Sequence, residues 1–409
     1  MRHIYTSLDI GSDSIKVVVC ELCQNKINLL AASSCKSKGI KKGLITDVEL
    51  AGITIKQAIN EVENILNTRI RKVIVSVPSY LAEYAIIKGS VTVGGVITHD
   101  NVMKSLEVAM KSKPLNGKEM VTILPIDFKV DNREEVIDPV GISGNQLDSR
   151  AVLVSVPKKN IYSVLGVLEN IGLEVVDISL NNIGDLYAFK NDNFESKIAA
   201  IINIGSEVTS VSIYNRNVII KSAILNMGGK NIDNDIAYMY KIDDDTACKL
   251  KTKFAVAHKK YASTHDIYEI KGADGILKVN QLEVSNIVMS RLEEILNLAK
   301  NELNNLTSKQ IDYIIITGGV VNTAGFEHLA QEIFPNQVNM GVIKIPGIRN
   351  CKYSACIGNI VYFINKLKLK GKDFTMINDD EADKMVSSNS NRNDPESMLG
   401  KIFGYFFNE

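Results

Sequence analysis

The stretch SLDIGSDSIKVVV, residues 7–19, decides the fold of this 409-residue chain. Apolar and β-branched residues on both sides of Gly11-Ser12 predict two strands joined by a tight turn. Glycine lets the backbone come close to an anion, and the N–H groups of such a turn can point at a phosphate. Residues 201–213, in the second half of the chain, repeat this pattern around Gly205-Ser206. The repetition predicts two similar halves, each with a phosphate-binding hairpin.

The composition limits the possible classes of function. With 45% hydrophobic and 23% charged residues the chain is an ordinary globular protein, long enough for at least two domains. Basic and acidic residues balance at 47 each, which argues against nucleic acid as a partner. Cys20 and Cys23 have Cys-x-x-Cys spacing but lie along a predicted strand, so no metal or redox site is expected. The chain begins in a strand and contains no long apolar run, which predicts a cytosolic protein.

Hydrophobic periodicity predicts an α/β layer interrupted by a small insertion. A helix capped by Asp47 and the apolar strand 73–77 indicate the α/β layer. From residue 83 to residue 160, short alternating strands surround one helix at 101–111, which predicts an inserted α+β subdomain. In the second half, the long helix 281–303 and the buried strand 312–316 continue the large-domain pattern.

A third glycine turn, Thr317-Gly318-Gly319, follows the buried strand 312–316. Two phosphate hairpins and a Gly-Gly turn in this order are typical of the two-lobed actin/Hsp70-like α/β fold, in which adenine approaches the backbone of the last turn. Each turn could instead be only a tight connection between strands. The predicted ligands are ATP and Mg²⁺, with Asp9 as the candidate metal ligand. The predicted nucleotide-binding residues are Asp9, Gly11, Ser12, Asp13, Ser14, Lys16, Gly205, Ser206, Thr209, Gly228, Gly229, Gly318 and Gly319.

Four segments resemble the FtsA family of actin-related bacterial cell-division proteins: residues 7–11, 38–47, 228–237 and 316–319. The resemblance implies an adaptor that binds ATP, polymerises into filaments and tethers the FtsZ ring to the cytoplasmic face of the membrane at the division site. It further implies that residues 230–309 receive the C-terminal peptide of FtsZ. Residues 83–160 would take part in filament contacts and recruit later division proteins. Lys249, Lys253 and Arg291 are the basic candidates for contacting the acidic partner peptide.

The resemblance also implies a division into subdomains. The predicted boundaries are 1–82 with 161–196 and 346–370 for core subdomain 1A, 83–160 for the inserted subdomain 1C, 197–229 with 310–345 for core subdomain 2A, 230–309 for the peripheral subdomain 2B, 371–396 for a disordered linker and 397–409 for a membrane-targeting helix.

The second hairpin departs from the family pattern. Asn203 stands where the family has aspartate, so a carboxylate that could organise Mg²⁺ or a water is replaced by a neutral amide. Glu207 and Asp13 each add a negative charge close to the expected phosphates, and Cys248 replaces the glutamate that contacts ribose. We therefore expect weak ATP binding and little or no hydrolysis. A PilM-like pilus-assembly adaptor and a true ATPase or kinase of this fold remain as alternatives.

The end of the chain predicts a membrane anchor. Residues 371–396 contain too little apolar surface to fold, whereas the last thirteen residues are strongly apolar. As a helix these would be about 20 Å long, too short to span a bilayer core of about 30 Å, so we expect them to lie in the interface. Docking on the protein's own surface is the alternative. The predicted membrane-facing side chains are Met398, Leu399, Ile402, Phe403, Phe406 and Phe407.

Overall fold

A computed structural model describes residues 2–131, 133–272, 275–378 and 381, which form two compact units. Unit 1 is built from the described residues up to 188, from 343–349 and from the described residues that follow 352. Unit 2 contains residues 189–342 and 350–352. The chain passes into unit 2 earlier than the predicted boundary at 196/197, because Phe194 packs edge-on against Tyr214 and Tyr313 of unit 2.

The elements of the first half of the chain are β1 (His3–Ile10), β2 (Ser14–Cys23), β3 (Lys26–Lys36), β4 (Ile40–Lys41), β5 (Leu44–Ile45), α1 (Val48–Leu66), β6 (Lys72–Val77), β7 (Glu83–Val96), α2 (His99–Lys111), β8 (Lys118–Val130), β9 (Ser143–Pro157), α3 (Lys158–Asn170), β10 (Glu174–Leu180) and α4 (Asn181–Phe189). They continue with α5 (Asp192–Ser196), β11 (Ile198–Ile204), β12 (Thr209–Asn215), β13 (Val218–Leu225), α6 (Gly229–Tyr240), α7 (Asp244–Lys253), β14 (Ile267–Gly272), β15 (Gly275–Asn280), α8 (Gln281–Leu306), β16 (Tyr313–Thr317), α9 (Phe326–Ile333), β17 (Val338–Met340) and α10 (Ser354–Lys370).

The main sheet of unit 1 has the strand order β10-β6-β1-β2-β3. β1 and β2 form the predicted antiparallel hairpin, and β6 runs parallel to β1 along its other edge. β1 is buried from Ile4 to Ile10 because helices cover the sheet. Asp47 caps the start of α1: its carboxylate accepts a hydrogen bond from the Leu50 N–H at 3.0 Å, as the sequence predicts.

The inserted segment of unit 1 forms a three-stranded antiparallel sheet, β7-β9-β8, covered by α2. Its own core contains Ile87, Leu106, Phe128 and Leu147. Gly89 lies directly under α2, where a Cβ would come within 2.1 Å of the Ser105 carbonyl oxygen. The predicted small α+β subdomain is therefore present, with longer strands than the sequence indicates.

Unit 2 is built on a second sheet with the order β13-β12-β11-β16-β17. β11 and β12 form the second hairpin, and β16 runs parallel to β11. α8 packs on this sheet through one apolar face, which the 3.6-residue spacing of its apolar residues predicts. The buried residues of that face are Val284, Val288, Leu292, Ile295, Ala299 and Leu303.

The predicted start of the disordered linker, at residue 371, is wrong because residues 371–378 pack against β1. The Ile4 N–H donates to Thr375 Oγ1 at 3.0 Å, and the Met376 N–H donates to the Ile4 carbonyl at 2.9 Å. Met376 and Ile377 are buried. Because β6 pairs with β1 only from Ser7 to Asp9, the first residues of β1 leave an open edge, which this segment covers.

The predicted membrane helix and the linker from residue 382 lie outside the described residues. Among the helices that the structure describes, none is both long and apolar enough to cross a bilayer.

Candidate functional site

Asp9, at the end of β1, accepts hydrogen bonds from three side chains of unit 1. Lys16 Nζ on β2 donates to Oδ2 at 2.9 Å, Ser76 Oγ at the end of β6 donates to Oδ1 at 3.1 Å, and Asn181 Nδ2 at the start of α4 donates to Oδ1 at 2.7 Å. The carboxylate is only 7% exposed. Sequence analysis predicts Asp9 and Lys16 but misses Ser76 and Asn181, which are distant in the chain.

Lys16 places a positive charge beside the first glycine turn. Burial alone would lower the pKa of this lysine, but the charge and hydrogen bond of Asp9 outweigh burial, and the pKa is raised. A Cβ built on Gly11 would lie 2.9 Å from Lys16 Nζ, so the ammonium group is next to the turn. The group is therefore positively charged at neutral pH, at the place where a phosphate is predicted.

The remaining residues of the first turn are held by the neighbouring β4–β5 segment. The Gly43 N–H donates to Ser12 Oγ at 2.7 Å, which leaves the Ser12 hydroxyl proton to donate elsewhere. The Gly11 N–H donates to the Ser14 carbonyl at 3.2 Å and closes the turn. Asp13 is exposed, so water screens its charge and its expected penalty on phosphate binding is small.

In unit 2, the second hairpin contacts the turn that begins α6. The Gly229 N–H donates to the Gly205 carbonyl at 2.9 Å, and the Lys230 N–H donates to the Ser206 carbonyl at 2.7 Å. A Cβ on Gly228 would lie 2.5 Å from both carbonyl oxygens. The first donors of α6, a common anion site, are thus used to hold the hairpin.

Gly318 joins the same cluster. Its φ of +105° favours glycine, and a Cβ there would lie 2.2 Å from the Ile204 carbonyl oxygen and 2.8 Å from Asn203 Oδ1. Gly319, by contrast, is exposed, and a Cβ would meet no atom within 4 Å. The structure therefore brings together three predicted pairs of residues within unit 2: Gly205-Ser206, Gly228-Gly229 and Gly318-Gly319.

Two further predicted residues of the second hairpin have internal contacts. Thr209 is buried, and its Oγ1 donates to the Met227 carbonyl at 2.8 Å. The Glu207 carboxylate lies 3.9 Å from Lys230 Nζ, so part of its predicted repulsion toward phosphate is compensated. Sequence analysis does not select Lys230 as a site residue, although it directly follows Gly228-Gly229 in the sequence.

Lys251 on α7 is another residue that sequence analysis misses. It is buried, and its Nζ donates to the Gly229 carbonyl at 2.9 Å and to Asp233 Oδ2 at 2.7 Å. This buried ion pair fixes the start of α6 against α7, close to Cys248, the residue that replaces the expected ribose ligand. Spacing along one helix could not reveal the pair, because its members lie on different helices.

The three candidates for partner binding differ in their surroundings. Lys249 and Lys253 are exposed on α7. Arg291 donates to both carboxylate oxygens of Asp235, at 2.6 and 2.9 Å, and also contacts Glu294. The Arg291 charge is therefore compensated within unit 2, whereas those of the two lysines face solvent.

The donor set fits Mg²⁺ only as a nucleotide-bound ion. The described residues contain no group of three or more carboxylate, histidine or cysteine side chains suited to a metal. Asp9 is a single carboxylate that already accepts three hydrogen bonds. Mg²⁺ commonly binds through one carboxylate together with phosphates and water, which these residues allow.

Family models match both halves of the chain. A model described as "Cell division protein FtsA" matches residues 200–358, and one described as "Type IV pilus assembly protein PilM" matches residues 7–264. The chain is 26% identical to the cell division protein FtsA of Bacillus subtilis over 395 residues, covering 95% of this chain and 90% of that protein. It is 28% identical to FtsA of Streptococcus pneumoniae over 358 residues, covering 86% and 78%.

Solved structures agree on the fold. The PilM protein of a PilM–PilN type IV pilus biogenesis complex matches with a TM-score of 0.59 and 14% identity, covering 88% of this chain and 98% of that one. MreB5 of Spiroplasma citri, bound to AMPPNP, matches with a TM-score of 0.55 and 14% identity, covering 90% and 99%. These matches confirm the predicted actin-like fold, and the curated relatives confirm the predicted family. The chain belongs to the actin-like FtsA/PilM family, and the curated relatives to which it is similar over most of its length are cell division proteins named FtsA.

Proposed function

We propose that the protein is a cell-division adaptor that binds ATP weakly, polymerises and tethers the FtsZ ring to the cytoplasmic membrane surface. Similarity to the cell division proteins FtsA over most of the chain supports the role in division. The observation that carries nucleotide binding is the Lys16 ammonium group, which pairs with Asp9 at 2.9 Å and lies beside the Gly11 turn.

Phosphate binding in unit 1 would use Lys16 and Ser12. An ammonium group can donate three hydrogen bonds, and Asp9 accepts one of those from Lys16. The hydroxyl proton of Ser12 is a second donor at the same turn. In unit 2, Gly319 is exposed and offers bare backbone to the adenine ring. Mg²⁺ bound to the phosphates would supply charge neutralisation.

Hydrolysis would be slow because the described carboxylates near the turns are poorly suited to orient or deprotonate water. Asn203 has no ionisable group, Glu207 lies 3.9 Å from Lys230, and Asp9 is engaged by three donors. Transfer of a phosphoryl group to water depends on positioning the nucleophile. We therefore propose that nucleotide regulates assembly and is turned over slowly or not at all.

A thermal-shift titration tests this part of the proposal. We expect ATP with Mg²⁺ at ten times its Kd to stabilise the protein by about 1.4 kcal/mol and to raise Tm by a few degrees. Phosphate release should stay near background, and Asn203→Asp should increase it. No shift at millimolar nucleotide, or rapid hydrolysis by the unchanged protein, would contradict the proposal.

The tether is tested on the full chain with lipid vesicles. Phe403→Glu/Phe406→Glu places two charges on the predicted apolar face, and charges in the bilayer interface are unfavourable. We expect this variant to lose at least tenfold in vesicle co-sedimentation, while Asn408→Glu, a charge change at the end of the chain, stays within about twofold. Equal pelleting of the double variant and the unchanged protein would contradict membrane attachment through the tail.

Binding partners follow from the same family membership. We propose that the FtsZ C-terminal peptide binds within residues 230–309, where the exposed Lys249 and Lys253 could attract acidic residues. The inserted subdomain, residues 83–160, would contribute filament contacts and contacts to later division proteins.

A PilM-like adaptor is the second candidate. The PilM family model covers the longer part of this chain, from residue 7 to residue 264. A pilus adaptor would not need a lipid-binding tip, so the vesicle experiment separates the two candidates. A true ATPase or kinase is disfavoured by Asn203.

A further inference from the structure

Three exposed lysines lie where the described chain ends in unit 1. We propose that Lys26, Lys368 and Lys372, here named the lysine face, bind the anionic surface of a lipid bilayer. Lys26 begins β3, and the other two lie at the end of α10 and just beyond it. Lys368 and Lys372 line one shallow cavity of about 260 Å³ together with His3 and the β2–β3 turn residues Gln24 and Asn25. The two chain segments therefore form one surface.

The charges of the lysine face are not compensated by ion pairs. Across the part of the chain that the structure describes, none of the three lysines has a carboxylate within salt-bridge distance, and all three are exposed. Asp373 is the single acidic residue lining the cavity. Other cations at this end of the sheet are paired, such as Arg2 with Glu21 at 3.7 Å. The face is therefore net positive, in a protein whose overall charge is zero.

Helix stabilisation does not account for this arrangement. Lys368 lies in the last turn of α10, where the helix dipole favours a cation. Lys372 follows Gly371, the left-handed residue that ends the helix, and Lys26 belongs to a β-strand. Lys26 thus gains nothing from a helix end, and the Lys372 side chain lies beyond the last turn, where the dipole effect falls off, which favours a role outside the fold.

The position of the tail identifies the partner. The Met376 N–H donates to the Ile4 carbonyl at the start of β1, and Glu381 pairs with Arg71 at 2.9 Å, just before β6 begins. The chain then continues toward the predicted membrane helix through residues 382–396, which can span at most about 50 Å. Any bilayer that binds the tail is thus held within about 50 Å of residue 381, which lies at the end of the sheet where β1 and β6 begin.

The tail itself lacks the charge that an anionic bilayer attracts. Within residues 397–409, Lys401 is the only basic residue and Glu409 opposes it, while Glu396 directly precedes the segment. Basic residues near an anionic leaflet strengthen binding by about fivefold each at physiological salt. The lysine face would supply this attraction from the folded unit, while the tail supplies apolar insertion. This inference rests on the proposed membrane attachment.

The test compares two full-length variants with equal changes in net charge. Lys26→Glu/Lys368→Glu/Lys372→Glu reverses the lysine face. Lys56→Glu/Lys158→Glu/Lys159→Glu reverses three exposed lysines of α1 and of the start of α3. Each protein is sedimented with vesicles of phosphatidylcholine alone and with vesicles containing 3 parts phosphatidylglycerol to 7 parts phosphatidylcholine, a ratio of about 30% anionic lipid.

We expect the unchanged protein to bind anionic vesicles at least tenfold more tightly than neutral ones, and 0.5 M salt, roughly a 4 Å screening length, to remove the preference. The lysine-face variant should lose the preference at low salt, whereas the control variant should keep it within about twofold. An unchanged preference in the lysine-face variant, or an equal loss in both variants, would overturn the inference.

The Phe403→Glu/Phe406→Glu variant separates this inference from the proposed function. If it loses binding to neutral vesicles while the lysine-face variant behaves as the unchanged protein, the tail tether stands and the lysine face is wrong. If it binds as the unchanged protein and the lysine-face variant alone loses anionic binding, the lysine face stands and the tail tether is wrong.

Discussion

Asp9→Ala is expected to lower the free energy of unfolding by about 3–5 kcal/mol, because it leaves the Lys16 ammonium buried without a counter-charge. The two side chains are only 13% and 7% exposed, so water cannot replace the lost partner easily. Ser76 and Asn181 also lose their shared acceptor. Urea unfolding at pH 7 measures the change.

Matched variants show whether the effect comes from the buried pair. Asp13→Ala removes the same charge from an exposed position of the same turn, and we expect a change within about 0.5 kcal/mol. Asp9→Leu/Lys16→Met removes both charges and should recover much of the lost stability. If Asp9→Ala and Asp13→Ala cost the same, the buried pair does not stabilise unit 1 as described.

The pair also predicts the pH dependence of stability. The folded-state pKa of Lys16 is raised, so the stabilising contribution is complete below the ordinary lysine pKa of about 10.4 and is lost as pH rises through the higher folded value. Between pH 7 and pH 9 the contribution of the pair to the unchanged protein should therefore stay constant. In Asp9→Ala burial alone lowers the pKa of Lys16, so the cost of the substitution should become smaller as pH rises toward the ordinary lysine value. We also expect this variant to lose the ATP-induced thermal shift, because the uncompensated Lys16 no longer holds its position beside Gly11.

Local features of the fold could be predicted from the sequence because they depend on neighbouring residues. The Asp47 cap needs only the N–H groups of the next turn, and the apolar stripe of α8 follows from its 3.6-residue period. Both glycine-serine hairpins were visible because a tight turn between two β-branched runs is a local pattern.

Features that depend on distant residues could not be predicted. α4 and α10 cross so closely that a Cβ on Gly358 would lie 1.6 Å from the Gly184 carbonyl oxygen, but neither glycine stands in a turn motif. The sequence predicts a linker at residues 371–378 because their neighbours are polar, whereas burial of Met376 and Ile377 depends on the open edge of β1. The same applies to the partners of Asp9 and to the Lys251–Asp233 pair.

Gly318 and Gly319 differ in their surroundings. Gly318 allows a close approach between two backbone segments, whereas Gly319 is exposed, where the adenine ring is proposed to bind. Gly318→Ala is expected to destabilise unit 2 by about 3 kcal/mol or more, because the new Cβ overlaps the Ile204 carbonyl oxygen at 2.2 Å and the φ of +105° is strained for alanine. Gly319→Ala should stay within about 0.5 kcal/mol, since the added Cβ meets nothing within 4 Å. Urea unfolding of the two variants measures the difference.

Gly319→Val then tests where adenine approaches. This side chain projects from an exposed position, so we expect stability to change by less than about 1 kcal/mol. If the ring contacts this backbone, the valine side chain occupies its place, and the ATP titration should show at least tenfold weaker binding in a protein that remains folded. Unchanged ATP affinity would show that adenine does not contact Gly319. Gly318 would then serve only to let β16 pass close to Ile204, and Lys16 would remain as the residue that binds nucleotide through its phosphates.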